Sequence, residues 1–202
     1  KGWVAAPDAS PDVVRAVSVG GRLACISAAR SRGLWVPGEP GILHVGLPHH
    51  AGHRPGELTG VVAHWTSARW RDEAQTVEPV EALVRQVLLC CGRESAIAVI
   101  DSALNQRRMT LAALRRVIRR LPTRFAPVLD EVDAASESGL ETLCRLRLTA
   151  LGASIRSQVT IPGVGRVDLL IGDRLIVEAD GRVWHDGSTS FHADRTRDLA
   201  LL

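Results

Sequence analysis

Three carboxylates, Asp168, Glu178 and Asp180, interrupt the apolar stretch at residues 166–180. Two runs rich in Val, Leu and Ile flank a Gly-Asp turn signal there, so the pattern predicts a β-hairpin deep in a sheet. Side chains alternate between the two faces of a strand, so Glu178 and Asp180 project from the same face. Asp168 joins them only if it pairs with Glu178 around a three-residue loop at 172–174, because a two-residue loop turns it to the other face. The sequence suits either loop, and we predict the three-residue one.

Carboxylates that converge in this way repel one another, by about 4 kcal/mol for a pair ~4 Å apart at an effective dielectric of ~20. A fold tolerates such a pair when a proton is shared or when a cation lies between the two groups. Oxygen ligands on rigid strands suit Mg²⁺ or Mn²⁺ better than zinc, and these ions commonly activate water at phosphate groups. The alternative is that the acids are solvated at a strand end or pair with nearby arginines, and spacing alone favours neither interpretation.

The motifs V-D-x-x-I, L-I-V-E-x-D-G, W-H and D-R-x-R-D follow one another within residues 134–202. This order resembles the very-short-patch-repair-endonuclease-like domains of the PD-(D/E)xK nuclease superfamily. The resemblance implies a metal-dependent DNA endonuclease in which Asp168 and Glu178 bind the ion. Asp180 falls where the superfamily usually has a lysine and the repair endonucleases have a histidine, and we assign it as a further metal ligand.

The same resemblance implies roles for residues outside the hairpin. Glu141 matches the glutamate of the first core helix, and Gln158 matches a glutamine before the first strand. His185 matches the histidine that follows a tryptophan in these enzymes, and it can take the lysine's place in activating water, because the pKa of histidine lies near neutrality. Trp184 and Arg195 are assigned to DNA contact, although salt bridges along a helix surface also explain the charges around Arg195.

The fold implied is α/β, with a restriction-endonuclease-like α-β-β-β-α core over residues 133–202. The family pattern continues with a further strand and helix, so we expect this core to be truncated at its C-terminus. Its first helix opens with S-G-L-E at 138–141, a capping box that offers a structural explanation for the glutamate. Residues 1–130 are predicted to form a mixed, mainly helical region. Within it, the short strands at 42–47 and 61–65 are predicted to pair as a β-hairpin.

Three segments of the first region carry a second, weaker resemblance: A-A-R-S-R-G-L-W-V at 28–36, L-H-V-G-L-P at 43–48 and A-I-A-V-I-D-S-A-L at 96–104. They are similar to the N-terminal regions that accompany such nuclease-like domains in actinobacteria and that resemble type IV abortive-infection antitoxins. This resemblance implies an alternative function, a non-catalytic DNA-binding regulator of antitoxin type on a degenerate nuclease scaffold. A protein-interaction module is a third possibility.

A basic helix is the second feature that bears on DNA. Residues 107–124 contain seven arginines and no acid. In the predicted helix, Arg115, Arg116, Arg119 and Arg120 share one face, and leucine, isoleucine and valine residues occupy the other. A solvated face paired with acids elsewhere is one explanation. Contact with the phosphate backbone is the other, and we favour it because a nuclease-like core follows.

Histidines gather in a second place, with His44 and His64 on the predicted strands and His49, His50 and His53 in the loop between them. Prolines and glycines around the loop argue against the helix that a catalytic zinc motif needs, so we interpret it as flexible and weakly basic. The four cysteines lack the spacing of metal ligands. We interpret them as buried or reduced thiols of a cytoplasmic protein.

Composition adds limits to these interpretations. The chain has 202 residues, 46% of them hydrophobic, enough for one large domain or two small ones with a core of their own. No apolar run approaches the ~20 residues that cross a bilayer, so no membrane partner is expected. The net charge of +3 only mildly favours DNA as a partner, although arginine supplies all but one of the basic residues.

Overall fold

The computed structural model describes residues 4–38, 41–49, 52, 58–66 and 75–179. Over these ranges the fold is mixed α/β, with seven α-helices and two three-stranded sheets. The predicted α/β class is therefore confirmed. No helix in the described ranges is both long and apolar enough to cross a bilayer.

The first two helices begin and end at local signals. α1 (Pro11–Ser18) has proline at its first position, where the ring fits the helical φ and no N–H is needed. α2 (Cys25–Ser31) is followed by Gly33, whose φ of +71° is the left-handed conformation that commonly ends helices. Small alanine side chains on both helices are fully buried, which lets the helices pack closely against the core.

The first sheet contains β1 (Arg22–Leu23), β2 (Leu43–Pro48) and β3 (Val61–Thr66), in that order. β1 is antiparallel to β2, whereas β2 and β3 are parallel, with Leu43 opposite Val61 and each later pair in step. The predicted hairpin between the last two strands is therefore wrong. A hairpin needs only a short turn, whereas about a dozen residues separate these strands, enough for the return crossing that parallel strands require.

Three helices follow: α3 (Val80–Cys90), α4 (Arg93–Asn105) and α5 (Leu111–Ile118). α4 is the central one, because every residue from Ala96 to Leu104 is buried. Thr110 caps α5, since its hydroxyl accepts a hydrogen bond from a backbone N–H of the first turn. Apolar side chains from α2 to α5 and from the first sheet form one continuous core.

The start of the predicted nuclease-like core is packed against this region. A 3₁₀ turn (Thr123–Phe125) and α6 (Val128–Glu131) lead to α7 (Gly139–Ala150), which contributes a leucine to the same continuous core. Gly139 lies so close to Trp35 that a Cβ atom would overlap the indole ring. The first residue of α7 is therefore fixed against a side chain from the N-terminal region.

A buried ion pair also joins α4 to α7. The Asp101 side chain is 1% exposed, and its carboxylate accepts hydrogen bonds from the Asp133 N–H at 2.8 Å, the Thr142 hydroxyl at 2.9 Å and the Arg145 guanidinium at 2.7 Å. Burial raises the pKa of Asp101 to about 6, although these three donors oppose the rise. The carboxylate is therefore ionised at neutral pH, and it holds three segments together.

The second sheet is an antiparallel meander of β4 (Ile155–Ile161), β5 (Gly165–Ile171) and β6 (Leu175–Val177). It follows α7 directly, so the described order is α-β-β-β. The final helix of the predicted core, expected to begin near Ser190, lies outside the described residues.

The register of the second sheet agrees with the three-residue loop predicted from the sequence. Ile171 lies opposite Leu175, and Leu169 lies opposite Val177. The loop between the strands is therefore 172–174, with Gly172 in the left-handed region at φ +57°. The described pairing ends at Leu169 and Val177, so the predicted pairing of Asp168 with Glu178 lies one step beyond it and stays a prediction.

Candidate functional site

Glu141 is held in the first turn of α7 by its own helix cap. Ser138 caps the helix, because its hydroxyl accepts a hydrogen bond from the Glu141 N–H at 3.2 Å. The Glu141 carboxylate is nearly buried, 3% exposed, and accepts from the Glu137 N–H at 3.0 Å. The predicted capping box is thus present with a shifted return bond. The same carboxylate also faces the second sheet, where Gln158 donates to it.

Gln158 is the residue that joins two of the predicted acids. Its Nε2 donates to Glu141 Oε2 at 2.8 Å and to Asp168 Oδ1 at 3.2 Å. Both carboxylate oxygens therefore lie within 3.2 Å of one nitrogen. The other amide atom, Gln158 Oε1, is buried and has no hydrogen-bond partner among the described residues. We call Glu141, Gln158 and Asp168 the acid–amide cluster.

The backbone of Gln158 is strained. Its φ is +53°, a left-handed conformation that residues other than glycine rarely adopt in a strand. It lies in β4 between two regular pairs, in which Ser157 faces Leu169 and Val159 faces Val167. Such conformations cost of order 1–3 kcal/mol and persist where the surrounding structure imposes them, commonly at functional sites.

Asp168 lies in β5 between two fully buried residues, Val167 and Leu169. Its second oxygen accepts from the Ala179 N–H at 2.8 Å, just beyond the end of β6. Hydrogen bonds to both of its oxygens fix its position between the strands. The described structure therefore brings together Glu141, Gln158 and Asp168, which the sequence analysis matched to one site.

The remaining predicted residues of this site are less fully described. Glu178 follows β6, is exposed and lies next to the Ala179 N–H that Asp168 accepts. Four residues lie outside the described ranges and their positions are not part of this structure: Asp180, Trp184, His185 and Arg195.

Four arginines at the end of α5 are exposed, as the sequence predicts. Arg115 and Arg116 lie on the helix, Arg119 and Arg120 follow its last residue, and the two residues between these pairs are buried. Arg116 forms a salt bridge with Glu81 at 3.0 Å. The other three form no salt bridge with any described residue. The amphipathic arrangement is therefore confirmed, whereas its contact with DNA stays a prediction.

A second cluster was missed by the sequence analysis. Cys25, His44, His64 and Cys90 each bring one sulfur or nitrogen atom to a common point, and these atoms lie within 4.8 Å of one another. Among the described residues, these four side chains converge closely enough to hold a metal ion. Their sulfur and nitrogen donors are not typical of a magnesium site. We call this group the Cys/His cluster.

Spacing explains why the Cys/His cluster was missed. Successive members of the cluster are 19 to 26 positions apart along the chain, whereas zinc motifs recognisable from sequence contain ligand pairs a few residues apart. The histidines treated together in the sequence analysis include two of the four ligands, His44 and His64. The useful signal was their position on two neighbouring apolar strands, rather than the histidine-rich loop between those strands.

Comparison of the chain with protein-family models, with curated proteins and with solved structures gives no match.

Proposed function

We propose that the chain is a metal-dependent DNA endonuclease that hydrolyses phosphodiester bonds, with the acid–amide cluster as part of its active site. The observation that carries this proposal is the convergence of Glu141 and Asp168 on the amide of Gln158. The α-β-β-β order of the described elements supports a restriction-endonuclease-like core, since this order is the one that the sequence resemblance implies.

The donor set suits a hard cation. Asp168 supplies a carboxylate fixed between strands, and Gln158 Oε1 is a buried oxygen with no hydrogen-bond partner among the described residues. Glu178 and Asp180 are proposed as further ligands. All of these donors are oxygens, which Mg²⁺ and Mn²⁺ prefer. When bound there, the ion would polarise the phosphoryl oxygen and activate water.

The protein residues have separate tasks in this proposal. Glu141 and Gln158 orient Asp168, because the amide donates to both carboxylates at once. His185 accepts a proton from the attacking water or contacts the phosphate. The DNA backbone or its bases are held by the exposed arginines at 115–120, by Trp184 and by Arg195.

Plasmid nicking tests the proposal. We expect nicking that requires Mg²⁺ or Mn²⁺, stops with chelator and returns when the ion is added in excess. Asp168→Ala should reduce nicking to background. Asp173→Ala is the matched control, because Asp173 belongs to the same hairpin but its side chain is 92% exposed and pairs only with a surface arginine among the described residues. Equal nicking by both variants, or none by the natural chain with either ion, would overturn the proposal.

One observation favours a second candidate, the non-catalytic DNA-binding regulator. Arg115, Arg119 and Arg120 are exposed cations without a salt bridge to any described residue, as expected of a surface that binds DNA phosphates. Replacing Arg115 and Arg119 with glutamine should weaken DNA binding and reduce the magnitude of the negative slope of log affinity against log salt by about 2. Arg147→Gln is the control, since this exposed arginine pairs with Glu94. Binding without cleavage, unchanged by Asp168→Ala, would favour the regulator over the enzyme.

A further inference from the structure

The Cys/His cluster is assembled from four different elements. Cys25 is the first residue of α2, His44 lies in β2, His64 lies in β3, and Cys90 is the last residue of α3. No two of the four are neighbours in sequence, so only the folded arrangement of these elements brings them together. Cys25 and His44 are buried, His64 is half-buried, and Cys90 is exposed, so the cluster opens to solvent on one side.

Parallel pairing of β2 and β3 puts the two histidines on one face. His44 lies opposite Val62, and His64 is two residues further along the same strand. Residues opposite one another in a parallel pair share a face, and a step of two residues returns to it. An antiparallel hairpin would reverse the direction of β3 and bring different residues beside His44.

Two of the distances within the Cys/His cluster are close to those of a tetrahedral centre. His44 Nδ1 is 2.9 Å from His64 Nε2 and 4.0 Å from Cys90 Sγ. Zinc bonds of about 2.0–2.1 Å to nitrogen and 2.3 Å to sulfur give edges of about 3.3 Å between nitrogens and about 3.6 Å between nitrogen and sulfur. Shifts of a few tenths of an ångström would bring the two distances in the structure to these tetrahedral values.

The backbone at Cys25 is constrained to aim its thiol at this point. Its φ is +49°, a left-handed conformation that non-glycine residues rarely adopt. The N–H of Cys25 donates to Gln86 Oε1 at 2.8 Å, which holds the residue from the neighbouring helix α3. Strain of this kind is commonly retained where a side chain has a task that depends on its direction.

Zinc binds the neutral form of an imidazole and the thiolate form of a cysteine, so binding releases the protons of the two thiols. Two thiolates and two neutral imidazoles around one divalent ion have no net charge, so such a complex can lie in a largely buried site.

We propose that Cys25, His44, His64 and Cys90 bind one Zn²⁺ in a closed tetrahedral site with a structural role. On binding, two Zn–S and two Zn–N bonds form, the two S–H bonds break, and two protons leave to solvent with the waters of the aqueous ion. No electron is transferred. Four protein ligands leave no open position for a substrate, which distinguishes this site from a catalytic zinc. The ion would link α2 and α3 to the parallel strands β2 and β3.

Cys91 is a competing neighbour, because its sulfur is 3.9 Å from Cys25 Sγ. Cys91 directly follows α3, and its sulfur is not one of the four donor atoms that converge in the Cys/His cluster. A hydrogen-bonded pair of thiols and a hydrogen-bonded pair of histidines would explain the same contacts without a metal. The two explanations differ in whether Cys90 is needed.

Zinc content is the direct test. The full chain, purified in metal-free reducing buffer, is loaded with Zn²⁺ alone, dialysed, and analysed by inductively coupled plasma mass spectrometry. We expect about one zinc per chain. Cys90→Ser and His64→Gln should each retain less than about a tenth of that. Cys144→Ser and His49→Gln are matched controls outside the cluster, and both should keep the full amount.

Cobalt substitution keeps the test decisive if a variant fails to fold. Co²⁺ bound by the natural chain should show the intense visible absorption of a tetrahedral centre and a charge-transfer band from thiolate. A weak octahedral spectrum, or no zinc in the natural chain, would overturn the proposal. Full zinc in Cys90→Ser would also overturn it, and so would loss of zinc from Cys91→Ser with retention by Cys90→Ser.

Discussion

The two clusters of this molecule contrast in chemistry and in how the chain assembles them. The acid–amide cluster has oxygen and amide donors from α7, β4 and β5, three consecutive elements. The Cys/His cluster has sulfur and nitrogen donors from four elements spread over residues 25–90. Hard donors suit an ion that exchanges and acts on phosphate, whereas soft donors suit an ion that stays and stabilises the fold. In the two proposals, donor type alone keeps the two ions apart.

The largest expected effect comes from separating the two regions. Arg145→Leu should lower the free energy of unfolding by about 3–5 kcal/mol at pH 7, because it leaves the Asp101 carboxylate buried without its cation. Arg147→Leu, on the same helix, removes only an exposed pair and should change stability little. Urea denaturation of both variants measures this difference. Equal stability of the two variants would show that the joint between α4 and α7 is unimportant.

Removal of zinc should have the next largest effect. At free zinc a hundredfold above the dissociation constant, binding stabilises the folded chain by about 2.7 kcal/mol, which chelation should abolish. Addition of Mg²⁺ should not replace it, because the Cys/His cluster offers no oxygen ligand. Thermal denaturation with zinc, with chelator, and with chelator followed by excess Mg²⁺ tests the contrast. Recovery with Mg²⁺ would break it.

The pH dependence of stability should report on Asp101. Its pKa is raised from 3.8 to about 6 in the folded chain, so the folded state holds the proton more tightly than the unfolded state. The stability from this group is present below pH ~4 and is lost as pH rises through about 6, a change of roughly 2–3 kcal/mol. The difference in unfolding free energy between the natural chain and Asp101→Asn, followed from pH 4 to 7, isolates this part. A constant difference would contradict it.

The smallest expected effect concerns the bridging amide. Gln158→Leu should cost about 1–2 kcal/mol, because Glu141 and Asp168 each lose a hydrogen bond and face one another without a donor between them. Mn²⁺ should recover part of this loss if the acids can hold a cation. Thr160→Leu, an exposed change on the same strand, serves as control in denaturation with and without Mn²⁺. Identical curves for the natural chain with and without Mn²⁺ would argue against a cation at the acid–amide cluster, because Gln158→Leu also removes one of the proposed oxygen donors.

What could be predicted from the sequence follows the range of the interaction. The cap at Ser138 depends on a residue three positions away, and it is present. The register of the second sheet depends on a three-residue loop and on alternation within short strands, and it was predicted. These features are decided locally, where hydrogen bonds and side-chain direction leave few alternatives.

The features that were missed depend on distant parts of the chain. Apolar alternation predicted both β2 and β3, but it does not distinguish a parallel pair from a hairpin. The hairpin prediction did not place His44 and His64 on one face of the sheet. Without that shared face, there was no reason in the sequence to group Cys25 and Cys90 with them. The bridge made by Gln158 depends on a left-handed backbone conformation that glutamine rarely adopts, so its residue type gave no warning.

The contact between Gly139 and Trp35 has a consequence for any attempt to divide the chain. The indole of Trp35 packs directly against Gly139, the first residue of the first helix of the proposed nuclease core. This contact also fixes the position of Glu141, which lies two residues later in the same helix turn. A fragment cut at residue 133 would keep every predicted acid yet lose the surface that aligns the first of them. The N-terminal region therefore positions the start of α7, and in a fragment that lacks this region we expect Glu141 to be displaced from the other predicted acids.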